Sequence, residues 1–242
     1  MQKSTLNSFI AKHTLGGNIS TAIWECTDTS IHVRVVSDDK SLLAEAEFKE
    51  GLGKEFDGAK LGFHDVSRFV KMLSALEEDI QLSLNAVSNV AKSIKITDKV
   101  SKENFALSDL ITLPVAPALK HVPKDFEVSV KLNETFANLF SKAKAALPDV
   151  MLFAVNATAK KTEIILGQTD VNTDTITFTA ETDKTEAMEK LLFNANLVKE
   201  ILAANKGIDA NFEISKEGLG KIVYDTKEYK ATYYLVAKPA NN

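Results

Sequence analysis

Four times along this chain a short amphipathic helical pattern is followed by a run of alternating strand patterns, and this repetition constrains the fold more than any other feature. The clearest copy spans Phe63–Leu84. Asp65 can cap a helix through its side-chain oxygen. Val66, Phe69, Val70 and Leu73 then recur at i, i+3, i+4 and i+7, which places them on one face. Arg68 and Lys71 fall opposite, beside small Ser67, Ser74 and Ala75. Glu77-Glu78-Asp79 interrupts the pattern, and alternation resumes over Ile80–Leu84.

The first copy predicts a helix over Ser4–His13, with Leu6, Phe9, Ile10 and His13 on one face, Lys12 turned away, and Gly16-Gly17 ending the segment. Strands are expected near Ile19–Cys26, Ile31–Val36, Leu42–Phe48 and Lys60–Phe63. After the second helix come Ile80–Leu84, Ser93–Thr97 and Glu103–Ser108. A third helix, capped by Asn133, runs to Leu147 over an underside of Phe136, Leu139, Phe140 and Ala143, with Lys142 facing away and Lys144 on the flank. Strands near Met151–Asn156, Thr162–Leu166 and Thr175–Thr182 follow it, and a short one at Leu191–Asn194. The fourth helix, capped by Asn196, buries Leu197, Val198, Ile201 and Leu202 and turns Lys199 and Lys206 outward. Strands near Asn211–Ile214, Gly220–Tyr224 and Lys230–Ala237 complete the chain. The helices begin near residues 4, 65, 133 and 196, at spacings of 61, 68 and 63. Each unit is a helix plus three strands, and two units per half predict two similar α+β domains.

The texture changes between Leu110 and Lys124, where three of the five prolines fall. Proline donates no ladder hydrogen bond and disfavours helix in the residue before it, so this segment reads as extended and unpaired. It is too apolar for an ordinary solvated linker. The expected division is therefore an N-terminal domain over 1–110, a connector over 111–124 and a C-terminal domain over 125–242.

Composition narrows the class. A chain of 242 residues, 45% hydrophobic, can bury one large or two medium cores. No apolar run is long enough to span a membrane, and no secretory pattern opens the chain. Lone Cys26 cannot form an internal disulfide, and the chain reads as intracellular. A net charge of −4 argues against a uniformly basic nucleic-acid binder but not against positive charge gathered on one face.

Catalytic chemistry finds little support. His13, His32, His64 and His121 are not at metal-ligand spacing, and Cys26 has no partner cysteine. Gly51-Leu52-Gly53-Lys54 and Gly218-Leu219-Gly220-Lys221 lack the full phosphate-loop spacing, and turns between strands account for both. Glu77-Glu78 reads as a solvated turn. No cofactor, metal or catalytic residue is expected, and the chain reads as a non-enzyme. What stands out is the set of cations on the helix outsides: Lys12, Arg68, Lys71, Lys142, Lys144, Lys199 and Lys206. If the four helices share one side of a sheet layer, these charges sum into one positive surface that attracts phosphate without reading bases. No aromatic interleaves with them, so stacking on single strands is not indicated.

Two domains of two helix-plus-strand units in a chain of this length resemble the DNA sliding clamp family, which includes phage clamps and proliferating cell nuclear antigen. The likeness is carried locally by Asp65–Asp79, by the ending Tyr233–Pro239, and by proline-bearing Leu113–Pro123 where the family has its interdomain connector. The resemblance implies a closed homotrimeric ring with helices on the inner face and sheets outside. Such a ring encircles double-stranded DNA, tethers a DNA polymerase and is opened by a clamp loader ATPase. It also implies a subunit contact between Glu103–Ser108 and Thr175–Thr182, involving Glu103, Phe105, Leu107, Thr175, Thr177 and Thr179. Partner peptides would dock on Leu113, Pro114, Val115, Val236, Ala237 and Pro239. Two other readings compete. One is a monomeric DNA-binding processivity factor of the same fold, and the other is a β-rich viral structural protein assembling through strand edges.

Overall fold

The computed structural model describes residues 1–119, 121–167 and 174–238. It divides into two compact units. The first comprises Met1–Val36, Ala44–Pro117 and Asp225–Ala231; the second comprises Ser37–Leu43, Ala118–Tyr224 and Thr232–Asn242. No helix among the described residues is long and apolar enough to cross a membrane.

In the first unit, helices α1 (Lys3–Thr14) and α2 (Val66–Ser74) pack side by side. Strands β1 (Ala22–Cys26), β2 (Ile31–Val36), β3 (Leu42–Phe48) and β4 (Lys60–Phe63) lie in the order β3-β2-β1-β4. Strands β5 (Gln81–Val87), β6 (Val90–Thr97) and β7 (Lys102–Ala106) form a separate antiparallel sheet in chain order. Alternation along β2, where Ile31, Val33 and Val35 are buried and His32 and Arg34 exposed, is the period-two signature of a sheet covered on one face. The core is aromatic: the Trp24 and Phe63 rings are 4.5 Å apart, and Phe69 and Phe105 are 5.0 Å apart.

Helix α2 forms as its sequence dictates. The Asp65 carboxylate accepts from the Arg68 amide at 3.2 Å, while Val66, Phe69 and Leu73 are buried beneath it. Full burial of Phe69 alone is worth about 2–3 kcal/mol. Helix α1 has no such cap, because Gln2 at that position offers no side-chain bond. Its orphan amides are met instead by Glu78, which accepts from Ser4 N through Oε1 and from Lys3 N through its carbonyl, each at 2.8 Å. The acidic turn after α2 thus terminates α1, a contact across more than seventy residues that spacing does not disclose.

The second unit contains β8 (Val128–Leu132), α3 (Glu134–Ala146), β9 (Leu152–Ala157), β10 (Thr162–Leu166), β11 (Ile176–Ala180), β12 (Thr182–Thr185), β13 (Met188–Asn194), α4 (Ala195–Ala204), β14 (Ala210–Ile214), β15 (Leu219–Asp225) and the later part of β16 (Tyr229–Val236). Strands β12-β8-β14-β15-β16 follow one another in one sheet and β11-β10-β9-β13 in another, with α3 against α4. Phe140 packs on Phe153 at 5.1 Å and Phe193 on Phe212 at 5.2 Å.

Several elements depart from the sequence reading. The expected strand Thr175–Thr182 is two strands, β11 and β12, that pair with different neighbours, β10 and β8. Helix α4 is capped by Asn194, not Asn196: its Oδ1 accepts from the Asn196 and Leu197 amides at 3.0 and 3.1 Å. Strands β5 and β6 extend beyond Leu84 and before Ser93 to a two-residue turn. Ser88 and Asn89 both have positive φ there, 51° and 62°, as the right-handed twist of a tight hairpin favours. Leu139, expected beneath α3, is 44% exposed.

Candidate nucleic-acid interface and open sheet edges

The helix cations separate into two groups. Arg68 and Lys71 on α2, Lys142 on α3, Lys199 on α4 and Lys206 just after α4 are exposed. Lys12 and Lys144 are not, which corrects their assignment to a DNA-facing surface. Lys12 is 4% exposed, and its ammonium lies 4.4 Å from the centroid of the Tyr229 ring. Desolvation there lowers its pKa, opposed by the charge of Glu228, and burial pushes the Tyr229 hydroxyl up to about 12. Lys144 is 5% exposed and donates to the Pro148 carbonyl at 2.6 Å. Both cations are spent on the fold: their aliphatic stems are buried, while the Lys144 ammonium bonds a carbonyl and the Lys12 ammonium lies over an aromatic ring.

Several strand cations are paired with carboxylates. Arg34 is 2.7 Å from Glu45, Lys60 is held by Glu25, and Lys131 lies between Glu181 at 2.7 Å and Asp183 at 3.2 Å. Arg68, Lys71, Lys142 and Lys206 make no salt bridge among the described residues, and Lys199 reaches only adjacent Glu200 at 3.5 Å. Unpaired positive charge thus sits on or beside α2, α3 and α4, although strand residues Lys92, Lys95, Lys102, Lys190 and Lys230 also make no salt bridge among the described residues. The exposed residues of α1, Ser4 and Ser8, are neutral, and half-buried Lys3 at its start donates to the Leu76 carbonyl. An open hollow of about 470 Å³ lined by Lys131, Asn133, Glu181, Asp209, Ala210 and Asn211 offers no counterpart, because Lys131 is already neutralised.

No cluster of His, Cys, Asp and Glu suited to a metal ion occurs among the described residues. His13 is buried, His32 and His121 sit beside Glu47 and Glu217 at 3.8 and 3.3 Å, and His64 is exposed. The Gly218 segment is the turn between β14 and β15, with φ of 87° and its amide donating to the Ser215 carbonyl at 2.9 Å. Burial raises the Cys26 thiol to about 12, so it carries no reactive thiolate.

Of the residues expected at a subunit contact, Thr175, Thr177 and Thr179 are exposed, and Glu103 and Leu107 are half-buried. Phe105 is a core residue, 6% exposed between Phe63 and Phe69, because the inward face of β7 packs beneath α2. The strands themselves are sheet edges. β7 pairs only with β6 and β11 only with β10 among the described residues. The opposite edges are guarded: Glu55 accepts from the Leu84 amide of β5 at 3.3 Å, and Lys238 donates its amide to Leu192 of β13 at 2.8 Å. Guarded edges resist pairing, which leaves β7 and β11 as the open ones of these two sheets.

In the proline-bearing segment, Leu113 is 5% exposed and packs against Gly62, whose hypothetical Cβ would lie 2.9 Å from Leu113 Cδ1. It belongs to the core and is withdrawn from the docking residues. Pro114 and Val115 are exposed, Val115 by 78%. Ile111, which sequence reasoning passed over, is 90% exposed. Its only sequence signal was an aliphatic residue beside the proline-rich run. On β16 and just beyond, Val236 is exposed and Ala237 half-buried, and Pro239 lies outside the described residues.

Neither a family model nor a curated protein sequence matches this chain. Solved structures do. One, described as the C-terminal region of FEN-1 bound to A. fulgidus PCNA, aligns with a TM-score of 0.74 at 14% identity, over 100% of this chain and 98% of that one. Another, the crystal structure of proliferating cellular nuclear antigen from Entamoeba histolytica, aligns with a TM-score of 0.71 at 16% identity, over 98% and 96% of the two chains. Likeness at such identity speaks to architecture, and the architecture agrees from end to end: this chain has the α+β fold of the PCNA sliding clamps.

Proposed function

We propose that the chain is the subunit of a DNA sliding clamp. Three copies close into a ring around duplex DNA and tether a DNA polymerase and other replication proteins, and a separate ATP-driven loader opens the ring. The observation that carries this reading is the end-to-end match to PCNA structures, which leaves almost none of either chain unaccounted for. The exposed cations Arg68, Lys71, Lys199 and Lys206, of which only Lys199 makes a salt bridge among the described residues, support it. They would contact phosphates one at a time, without base readout, as a ring that slides requires. The neutral outside of α1 weakens the grip further, which favours movement over retention. No reaction is assigned to the chain, because the role is that of a scaffold.

The open edges β7 and β11 support assembly by strand addition between copies. Exposed Ile111, Pro114 and Val115 fit the docking of an apolar partner segment, and one of the similar PCNA structures carries the C-terminal region of FEN-1.

Topology provides the test. Without a loader, a closed ring reaches DNA only by threading over a free end. Crosslinking to linear duplex, lost when both ends are blocked or the DNA is a closed circle, is the expected result. Equal crosslinking to linear and circular DNA refutes encirclement and favours a monomeric DNA-binding factor.

A further inference from the structure

Edge strand β7 carries an unmet acceptor. Side chains two apart on a strand share a face, so Glu103 points to the same side as Phe105, towards α2. Its Oε2 is shut off from solvent without a hydrogen-bond partner among the described residues, and the residue is only half-buried, so an outside cation reaches the carboxylate through Oε1. A carboxylate only accepts, and one left half-buried without a donor is costly, so a cation brought to this edge would stabilise it.

The other open edge presents matching features. On β11, Phe178 turns towards α3, where its ring lies 5.8 Å from that of Phe136. Ile176, two residues before, shares that side, and both are only half-buried. Along α3 the row at intervals of three continues from Phe136 to Leu139 and Lys142, neighbours on the helix surface. Leu139 is 44% exposed and Lys142 is exposed without an ion-pair partner. The helix-facing side of the β11 edge thus carries half-buried apolar side chains, and the α3 row that starts at Phe136 leads on to an exposed leucine and a cation.

We propose that Glu103 of one copy and Lys142 of the next form an ion pair that selects and closes the contact between β7 and β11. The inference rests on the ring reading and gives its subunit contact a chemical address. Register of faces follows from burial. Joining the edges with their helix-bearing faces on the same side sets Ile176 and Phe178 beside Glu103 and Phe105 and covers the apolar surface. Turning one strand over would set them against solvent-facing Lys102 and Asn104. Lys142 is thereby removed from the DNA-facing set, and its role is assembly.

Charge reversal in pairs tests this on the full chain, with association read by sedimentation across a dilution series. Glu103→Lys sets two cations against each other, and Lys142→Glu sets two carboxylates. Each single change is expected to weaken association at least about tenfold, and the double reversal to recover most of the loss. Glu103→Gln, near-isosteric and uncharged, weakens it less and serves if Glu103→Lys does not fold. If the parent chain assembles but the single variants match it, or the double reversal recovers nothing, the pair is refuted and the ring reading stands. A parent chain that is monomeric at micromolar concentration refutes the ring, and the pair with it.

Discussion

His13 is the group whose environment makes the sharpest quantitative demand. It is 0% exposed at the end of α1, and its Nε2 accepts from the Trp24 indole N–H at 3.3 Å. Desolvation lowers its pKa from 6.5 to about 3, opposed by a backbone hydrogen bond at Phe9. In the unfolded chain the imidazole takes up a proton near pH 6.5, whereas the folded chain resists until about pH 3. Stability is therefore intact above the unfolded value, is lost as pH falls through this window, and changes no further below it. The linkage amounts to about 2 kcal/mol at pH 5 and about 3 kcal/mol at pH 4, approaching about 5 kcal/mol at the acid limit. His13→Gln removes the titration while keeping an oxygen that can accept from Trp24. Trp24 is the chain's single tryptophan and is fully buried, so its emission during urea unfolding reports this unit directly. Between pH 7.5 and 5 the parent should lose about 2 kcal/mol more than His13→Gln. Carboxylates held low by hydrogen bonds, such as Asp65 and Asp98, titrate in both proteins and cancel in the difference. Parallel pH profiles for the two proteins would refute the reasoning.

Other perturbations separate the roles assigned above. Replacing Arg68 and Lys71 together with alanine should reduce the salt dependence of DNA association by about two released counterions and leave the urea midpoint unchanged. Lys144→Ala should do the reverse, costing about 1–2 kcal/mol through its lost bond to Pro148 without affecting DNA association. Asn133→Ala removes the acceptor that caps α3 at the Phe136 amide and should cost about 1 kcal/mol in urea unfolding. At Gly62 an added methyl would meet the Ser108 carbonyl oxygen at 2.6 Å, so Gly62→Ala should destabilise by roughly 1–3 kcal/mol. A wild-type midpoint in that variant would show that the connector's entry is not packed as described.

Much of the architecture was legible because local physics writes it locally. Caps at Asp65 and Asn133, apolar rows at helical spacing, and alternation along β2 each depend on residues within a few positions of one another. Their recurrence at a near-constant interval led to the clamp fold without a closely similar sequence. The candidate surface was legible only in part. Spacing puts Lys12 and Lys144 beside the solvent-facing stripe of their helices, but a long stem can fold back. Only the tertiary structure decides that Tyr229 waits for one ammonium and the Pro148 carbonyl for the other. Phe105 and Leu113 misled for the opposite reason: an apolar residue on an edge or in a connector looks available until the core that receives it is known. The unmet oxygen of Glu103, the guarding of β5 and β13, and the capping of α1 by Glu78 join residues distant in sequence. No window of sequence contains both partners, so only folding could decide them.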